Sequence, residues 1–437
     1  MKKAWSVLFI IALTIPFADP VAAQPAVPSA LIFVTIQTDT VNSTDGECSL
    51  REAVIAANTN AVSGSVGDEC DAGSGIIADT IIVPVGTYYL TRVGAAESYA
   101  ATGDLDIREP VNIYGVGKDL VIIQQETTDR IFHVPAGMGS ITFRLADVTL
   151  TGGYPHETDG GGGAIKTESG RLEVEDVIFR GNRASGSWGA YGGAIEAASE
   201  LEVLNCLFEM NIADERGGAV YINAGVTGAT IKKSLFLNNL AVTGGAIENN
   251  GGVTIENATL SNNLAVVSGG GAINNSGGMT VRFSTLVGNQ SYASVGTGQA
   301  GALYNGSAAN VAVHSSILAG NSATDSAYDN CNAGGTWLTS ESNLEDDDTC
   351  PLGLSNTYNT DPMLGPLGDW GGPTRVHPLL YGSPAIDVAF SAGCPDQDQR
   401  SVDRPFDGNY NGVASCDIGA FEADARYDVV YLPFISR

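Results

Sequence analysis

A Gly-Gly-Ala-aliphatic element returns along this chain as Gly163-Ala164-Ile165, Gly193-Ala194-Ile195, Gly218-Ala219-Val220, Gly245-Ala246-Ile247 and Gly271-Ala272-Ile273, with a relaxed copy at Gly301-Ala302-Leu303. Successive alanines stand 30, 25, 27, 26 and 30 residues apart. A second element follows each copy: Phe179-Arg180-Gly181-Asn182, Phe208-Glu209-Met210-Asn211 and Phe236-Leu237-Asn238-Asn239, then with Leu for Phe at Leu260 to Asn263, Leu286 to Asn289 and Leu318 to Asn321. Alternating runs such as Leu172-Glu173-Val174 and Val253-Thr254-Ile255 link them. A period of this size marks a solenoid, a propeller or an array. Leucine-rich repeats need a Leu spacing and a helical half that are absent, and a propeller blade needs about 40 or more residues.

Each period offers three short strands separated by turns, with alternate residues facing one side. A single such turn of chain cannot bury its apolar face, whereas the next turn stacked on it can. The spacing therefore predicts an all-β, parallel β-helix, right-handed by the general crossover preference. Gly-Gly suits a turn where backbones crowd, because Gly tolerates φ > 0. Asn recurring at one turn suits an amide ladder from coil to coil. Strand-like runs at Thr80 to Val83, Leu105 to Ile107, Val111 to Tyr114, Val121 to Ile123 and Ile131 to Val134 start the coils before the first clean repeat. About ten coils up to about residue 345 give a rod of roughly 48 Å at the strand spacing. Its open ends need caps. Ser49 and Glu52 form a capping box for a short helix, Leu50 to Ala57, with Leu50, Ala53, Val54 and Ala57 on one face.

Lys2 and Lys3 precede an apolar stretch, Trp5 to Phe17, and Val21-Ala22-Ala23 supplies a small-residue cleavage pattern. This is the form of a secretory leader, so export with a mature chain from Gln24 and no transmembrane segment thereafter is the expectation. The seven cysteines fit an oxidising compartment. Cys48/Cys70, Cys331/Cys350 and Cys394/Cys416 are neighbours in sequence, and each pair is a candidate staple contributing roughly 3 kcal/mol, although six cysteines permit about fifteen connectivities. Cys206 is left over as a buried, inert thiol. With 49 acidic against 21 basic side chains the net charge is −28, which excludes a nucleic-acid partner.

Cys48-Ser49-Leu50-Arg51-Glu52-Ala53 resembles the CSLREA-type N-terminal region of exported bacterial β-helix proteins. The Gly-Gly-Ala-Ile and Phe-x-x-Asn repeats are similar to those of polymorphic outer membrane proteins. Asp361-Pro362-Met363-Leu364-Gly365-Pro366-Leu367, Gly371-Gly372-Pro373-Thr374, Gly382-Ser383-Pro384-Ala385-Ile386-Asp387 and the closing Cys416-Asp417-Ile418-Gly419-Ala420-Phe421-Glu422 resemble the choice-of-anchor Q domain. The resemblance implies a pectate-lyase-like right-handed β-helix at or beyond the bacterial surface, generally without an assigned reaction. The expected organisation is a leader at 1–23, a cap at 24–79, repeats at 80–325, C-terminal coils and the anchor-type region at 326–422, and a tail at 423–437.

Two constellations are candidates for chemistry. Two residues after each repeat Ala lies a residue facing away from the core: Lys166, Glu196, Tyr221, Glu248, Asn274 and Tyr304. Stacking aligns them as a strip, with Glu196 and Glu248 roughly 10 Å apart at two strand spacings. That separation suits the acid and base of an inverting glycosidase, with Tyr221 between them to stack on a sugar; the alternative is a solvated strand face. Asp407-Gly408-Asn409-Tyr410-Asn411-Gly412 matches the opening of a calcium loop, with Asp417 near the last ligand position, the alternative being an Asn/Gly turn. No other cofactor is expected. The four histidines, His133, His156, His314 and His377, lie far apart in sequence, and Glu345-Asp346-Asp347-Asp348 reads as a solvated run. These features favour a secreted or cell-surface scaffold or adhesin, non-catalytic, contacting extracellular glycans or cell-surface components. The alternatives are a polysaccharide lyase or glycoside hydrolase, and a structural cell-envelope protein.

Overall fold

The computed structural model describes residues 30–424, except 66–68, 76, 95–96, 156–159, 187, 293–297, 333 and 391–392. The leader and nearly all of the tail at 423–437 thus lie outside the described residues. The chain winds through an 11-stranded, a 10-stranded, an 8-stranded and a 6-stranded sheet, with sequence order skipping regularly from rung to rung. Strands pair parallel and in register, as where Leu172 faces Leu201 and Phe179 faces Phe208. The fold is an all-β parallel solenoid. The 10 strands of the second sheet, Gly86–Leu90 to Leu344–Glu345, make nine stacking steps, or about 43 Å at the strand spacing.

Two details differ from the expectation. Leu31–Phe33, inside the segment read as cap, is already the first strand of the longest sheet and pairs with Asp79–Val83. Three residues carry too little alternation to announce themselves as a strand. Where the repeat is cleanest, a coil also holds four strands rather than three. The fourth is as short as Arg183–Ala184, where small Ala184, Ala213 and Ala241 form a separate buried cluster under the turn.

Phe179, Phe208 and Phe236 stack face to face inside the rod, with centroids 4.7 and 4.6 Å apart. Leu260, Leu286 and Leu318 continue the same column. Asn182, Asn211, Asn239, Asn263, Asn289 and Asn321 form the expected ladder, each Nδ2 donating to the next Oδ1 at 2.9–3.1 Å. The same amides donate to carbonyls on the preceding coil, Asn211 to Phe179 and Asn239 to Phe208. Every amide therefore satisfies groups on two neighbouring coils, which a buried polar side chain needs to be neutral or better in energy. A second ladder, Asn249–Asn275–Asn305, runs with 2.8 Å bonds at the strand after Gly-Gly-Ala. The glycine pair has a divided role. Gly192 adopts φ +64, and a Cβ on Gly193 would stand 2.1 Å from the Gly218 carbonyl of the next coil. One glycine serves conformation and the other serves stacking.

The predicted helix is present as Leu50–Thr59, with both halves of the Ser49/Glu52 capping box formed. Arg51 is fully buried against Asp39 and donates to the carbonyls of Ala100, Gly103 and Asp104. It thereby knits the helix to the first coils, while Leu50, Ala53 and Ala57 join the core. The three disulfides are Cys48–Cys70, Cys331–Cys350 and Cys394–Cys416. Cys206 is free and buried, and burial pushes its thiol up to about 12, so it is inert as expected.

After the last coil the chain turns back and lies along the outer face of the 10-stranded sheet. Val376, Leu379, Ile386, Ile418 and Phe421 pack there against Phe283, Ile317 and Leu344. Hydrogen bonds mark its path: Ala420 N–H to Thr285 Oγ1, Thr259 Oγ1 to Gln399 Oε1, Asn257 Nδ2 to the Gln397 carbonyl, and Lys118 Nζ to the Pro373 carbonyl. Inside this segment Arg404 pairs with Glu422 at 3.0 Å and Arg400 with Asp398 at 2.7 Å, all four buried. Each guanidinium lies over a phenylalanine, Arg404 over Phe283 and Arg400 over Phe421.

Candidate functional site

The strip foreseen from the repeat is aligned on the 8-stranded sheet. Lys166 faces Glu196, Glu196 faces Tyr221, Tyr221 faces Glu248, Glu248 faces Asn274, and Asn274 faces Tyr304. Glu196 and Glu248 are two rungs apart with Tyr221 between them. The strip is not a solvated face, however. Glu196, Tyr221, Glu248 and Asn274 retain only 8, 7, 1 and 8 % of their surface, because the turns before each Gly-Gly fold over them. Tyr191 stacks on Tyr221 at 4.5 Å, and a Cβ on Gly161 would stand 2.8 Å from Glu196 Oε2. Glu248 accepts from Thr243 Oγ1 at 2.9 Å and from Asn274 Nδ2 at 2.8 Å. Glu196 has Lys166 Nζ at 3.9 Å. Burial raises the pKa of both carboxyls, opposed by Lys166 at Glu196 and by the Asn274 and Thr243 hydrogen bonds at Glu248. Burial also pushes the Tyr221 phenol up to about 12.

The row extends two rungs further than the repeat announces. Asp106 faces His133, and His133 faces Lys166. His133 Nδ1 lies 3.1 Å from Asp106 Oδ1 and Nε2 lies 3.5 Å from Glu168 Oε2. Burial opposes the imidazolium, yet Asp106 and Glu168 hold its pKa above the usual value. The His133 hydrogen bond in turn holds Glu168 down to about 2. Asp104 is raised well above the usual range by burial, with Arg130 opposing and Asp129 and Asp106 reinforcing. Potential ligand atoms of Asp104, Asp106 and His133 lie within 4.8 Å of one another, a carboxylate–imidazole set of a type that suits a divalent ion. Arg130 Nη1 stands 3.5 Å from Asp104 Oδ2, supplying a positive charge beside that set. Sequence reasoning missed this group because His133 stands 27 residues beyond Asp106. The available signal was the strip's register carried back from Lys166.

The remaining histidines serve elsewhere. His377 bonds to Ser261 Oγ at 3.2 Å and to the Gly365 carbonyl at 2.9 Å, and His314 continues the Arg282 row. His156 lies outside the described residues. In the calcium-type loop the Asp407 oxygens accept from the Asn411 and Gly412 N–H groups, Asn409 Oδ1 accepts from Asn411, and Asn411 Oδ1 accepts from Val413. Asp417 is buried and accepts from the Asp387 and Ala423 N–H groups. Burial and then the Glu422 carboxylate push Asp417 up to about 8. Glu345 is buried beside the Cys331–Cys350 disulfide rather than solvated, and burial pushes it to about 9.

A cleft of about 590 Å³ opens between the 10-stranded sheet and the tip of the C-terminal segment, over Ile178, Leu207 and Leu235. Glu209 at its wall accepts from Arg180 Nε and from Arg375 Nη2, both at 2.9 Å.

Fold and sites together define a disulfide-stapled parallel β-solenoid with an ionisable row largely buried under turns and a lateral cleft beneath the C-terminal segment. Over 108 residues, 23 % of this chain, the sequence is 40 % identical to the probable autotransporter YfaL of Escherichia coli strain K12. The chain spans about 8 % of that relative's length. No protein-family model matches the chain, and no solved structure matches it. The likeness to CSLREA, polymorphic-outer-membrane-protein and choice-of-anchor Q sequences therefore rests on the residues quoted for it. A disulfide-bonded β-solenoid with an autotransporter-like stretch fits a surface or secreted β-helix protein. No helix among the described residues is long and apolar enough to cross a membrane.

Proposed function

We propose that this chain is an exported, non-catalytic β-helix scaffold or adhesin whose lateral surface contacts extracellular glycans. The observation that carries the reading is the roofing of the repeat's ionisable row. Glu248 is 1 % exposed, with its two oxygens held by Thr243 and Asn274. An acid–base pair for glycoside cleavage must reach the scissile oxygen and leave room for water. A row sealed under backbone turns is instead suited to holding successive coils together, which leaves the outer surfaces for contact. Incubating the secreted protein with plant and bacterial polysaccharides, while following unsaturated products and reducing ends, tests it. No turnover is expected, together with retention on a glycan array. Turnover that disappears in Glu196→Gln and Glu248→Gln establishes a hydrolase or lyase instead. Fractionating cells and medium separates a free protein from one held in the envelope.

A further inference from the structure

The C-terminal segment covers the outer face of the 10-stranded sheet unevenly. Over the later coils the fit is close, with Gln399 on Thr259, Ala420 on Thr285, and Ile317 and Leu344 inside the shared apolar core. Over the earlier coils the cleft of about 590 Å³ intervenes between the sheet and residues 369–375. That volume lies within the usual span of small-ligand sites, about 300–1,000 Å³. Ile178 and Leu207, on adjacent rungs, form an apolar floor one strand spacing apart. The walls carry Lys118, Arg180 and Arg375 against Asp119, Glu209 and Asp369. Three cations thus meet three anions on a chain whose net charge is −28.

That balance selects for a ligand class. An ion of either sign gains little where opposite charges cancel. A hydroxyl, which donates and accepts at once, is served by guanidinium donors and carboxylate acceptors set side by side. Glu209 engages one nitrogen each of Arg180 and Arg375, both exposed, which fixes the two planar groups while further N–H donors remain on each. We propose that this cleft is a subsite for a neutral oligosaccharide, its ring faces on Ile178 and Leu207 and its hydroxyls bonded to Arg180, Glu209 and Arg375. The inference rests on the glycan-contact reading above and places that contact on the 10-stranded sheet. It also makes the C-terminal segment part of the binding site.

Isothermal titration of the secreted chain with cellohexaose, mannohexaose and N-acetylglucosamine hexamer, and with hexagalacturonate as the charged probe, tests it. At least one neutral probe is expected to bind, and at least tenfold more weakly in Arg180→Ala and in Arg375→Ala. Arg180 stands on the solenoid, so its variant keeps the test valid even if Arg375→Ala loosens the segment. Arg171→Ala, on another sheet, is the control and is expected to bind as the parent does. Unchanged binding in both cleft variants overturns the cleft and leaves the glycan reading standing. Tighter binding of hexagalacturonate than of every neutral probe overturns the ligand class. Failure of all four probes to bind the parent chain overturns the glycan reading itself.

Discussion

The repeat coils and the C-terminal segment are held by opposite means. Between Asn182 and Asn321 each coil reuses the same contacts: a ring or Leu in one column, an amide in another, a glycine pair at the next turn. Polar groups inside the rod there are chiefly amides bonded to their own copies, while the carboxyls of Glu196 and Glu248 are buried outside it under the turns. The segment from Asp361 onward has no copies. Among the described residues its β-bridges are isolated antiparallel ones, such as Leu364 with Leu379 and Gln397 with Asp403. Besides its apolar packing, what orders it is a buried cluster of ionisable groups, Asp398, Arg400, Arg404, Asp417 and Glu422, seated on the solenoid's flank. Repetition gives stability that is local and additive from neighbour to neighbour. A buried ionic cluster gives a fixed geometry that fails as a unit when one member is lost.

The largest expected effect follows from that fragility. Arg404→Ala leaves Glu422 buried without its partner, at a cost of about 3–5 kcal/mol. Hydrogen exchange is expected to rise across 361–424 while the amides of the Asn ladder stay protected; equal loss in both regions would erase the distinction. Phe208→Ala removes the middle ring of the stack at a cost of about 3–5 kcal/mol as well. Here the loss should centre on the coils of Phe179 and Phe236 and spare the C-terminal segment. Asn211→Ala takes a partner from the Phe179 carbonyl, the Asn182 backbone N–H, Asn182 Nδ2 and Asn239 Oδ1, the last two keeping another, at about 1–3 kcal/mol for each group left unsatisfied. Its signature in urea melts is a lower midpoint with little change in slope.

The smallest effect is in pH. Asp417 and Glu345 have folded pKa values raised to about 8 and about 9, from ordinary values of 3.8 and 4.5. A carboxyl raised on folding stabilises fully below its unfolded pKa, and that contribution is lost as pH rises through the folded value. The C-terminal segment, through Asp417, and the last coil, through Glu345, are therefore expected to loosen on passing from pH 7 to pH 9. Asp417→Asn should flatten that step. Loosening on acidification instead would show that the carboxyl is ionised in the folded chain.

The two regions also differ in what their sequences disclose. Gly-Gly-Ala-Ile and Phe-x-x-Asn carry their stacking on their face, because a side chain that must meet its own copy recurs at the same place in each period. Ser49 and Glu52 announce a helix start for a local reason, being three residues apart. The cysteine pairs are neighbours in sequence, and the structure joins them as such. The roofing of Glu196 and Glu248 was not legible, since it depends on how turns of unequal length fold across a strand. Asp104 and Asp106 were not legible as partners of His133 because it lies one rung away in space but 27 residues beyond Asp106 in sequence. Nor does any period show that Arg375 reaches Glu209, which lies 166 residues earlier.

A crystal or cryo-EM structure of the chain decides whether like residues of successive coils meet. The rings of Phe179, Phe208 and Phe236 are expected in one column at 4.7 and 4.6 Å, with Asn182, Asn211 and Asn239 bonded in a second. Density that places these phenylalanines in separate sheets or separate cores would contradict the solenoid and everything built on it.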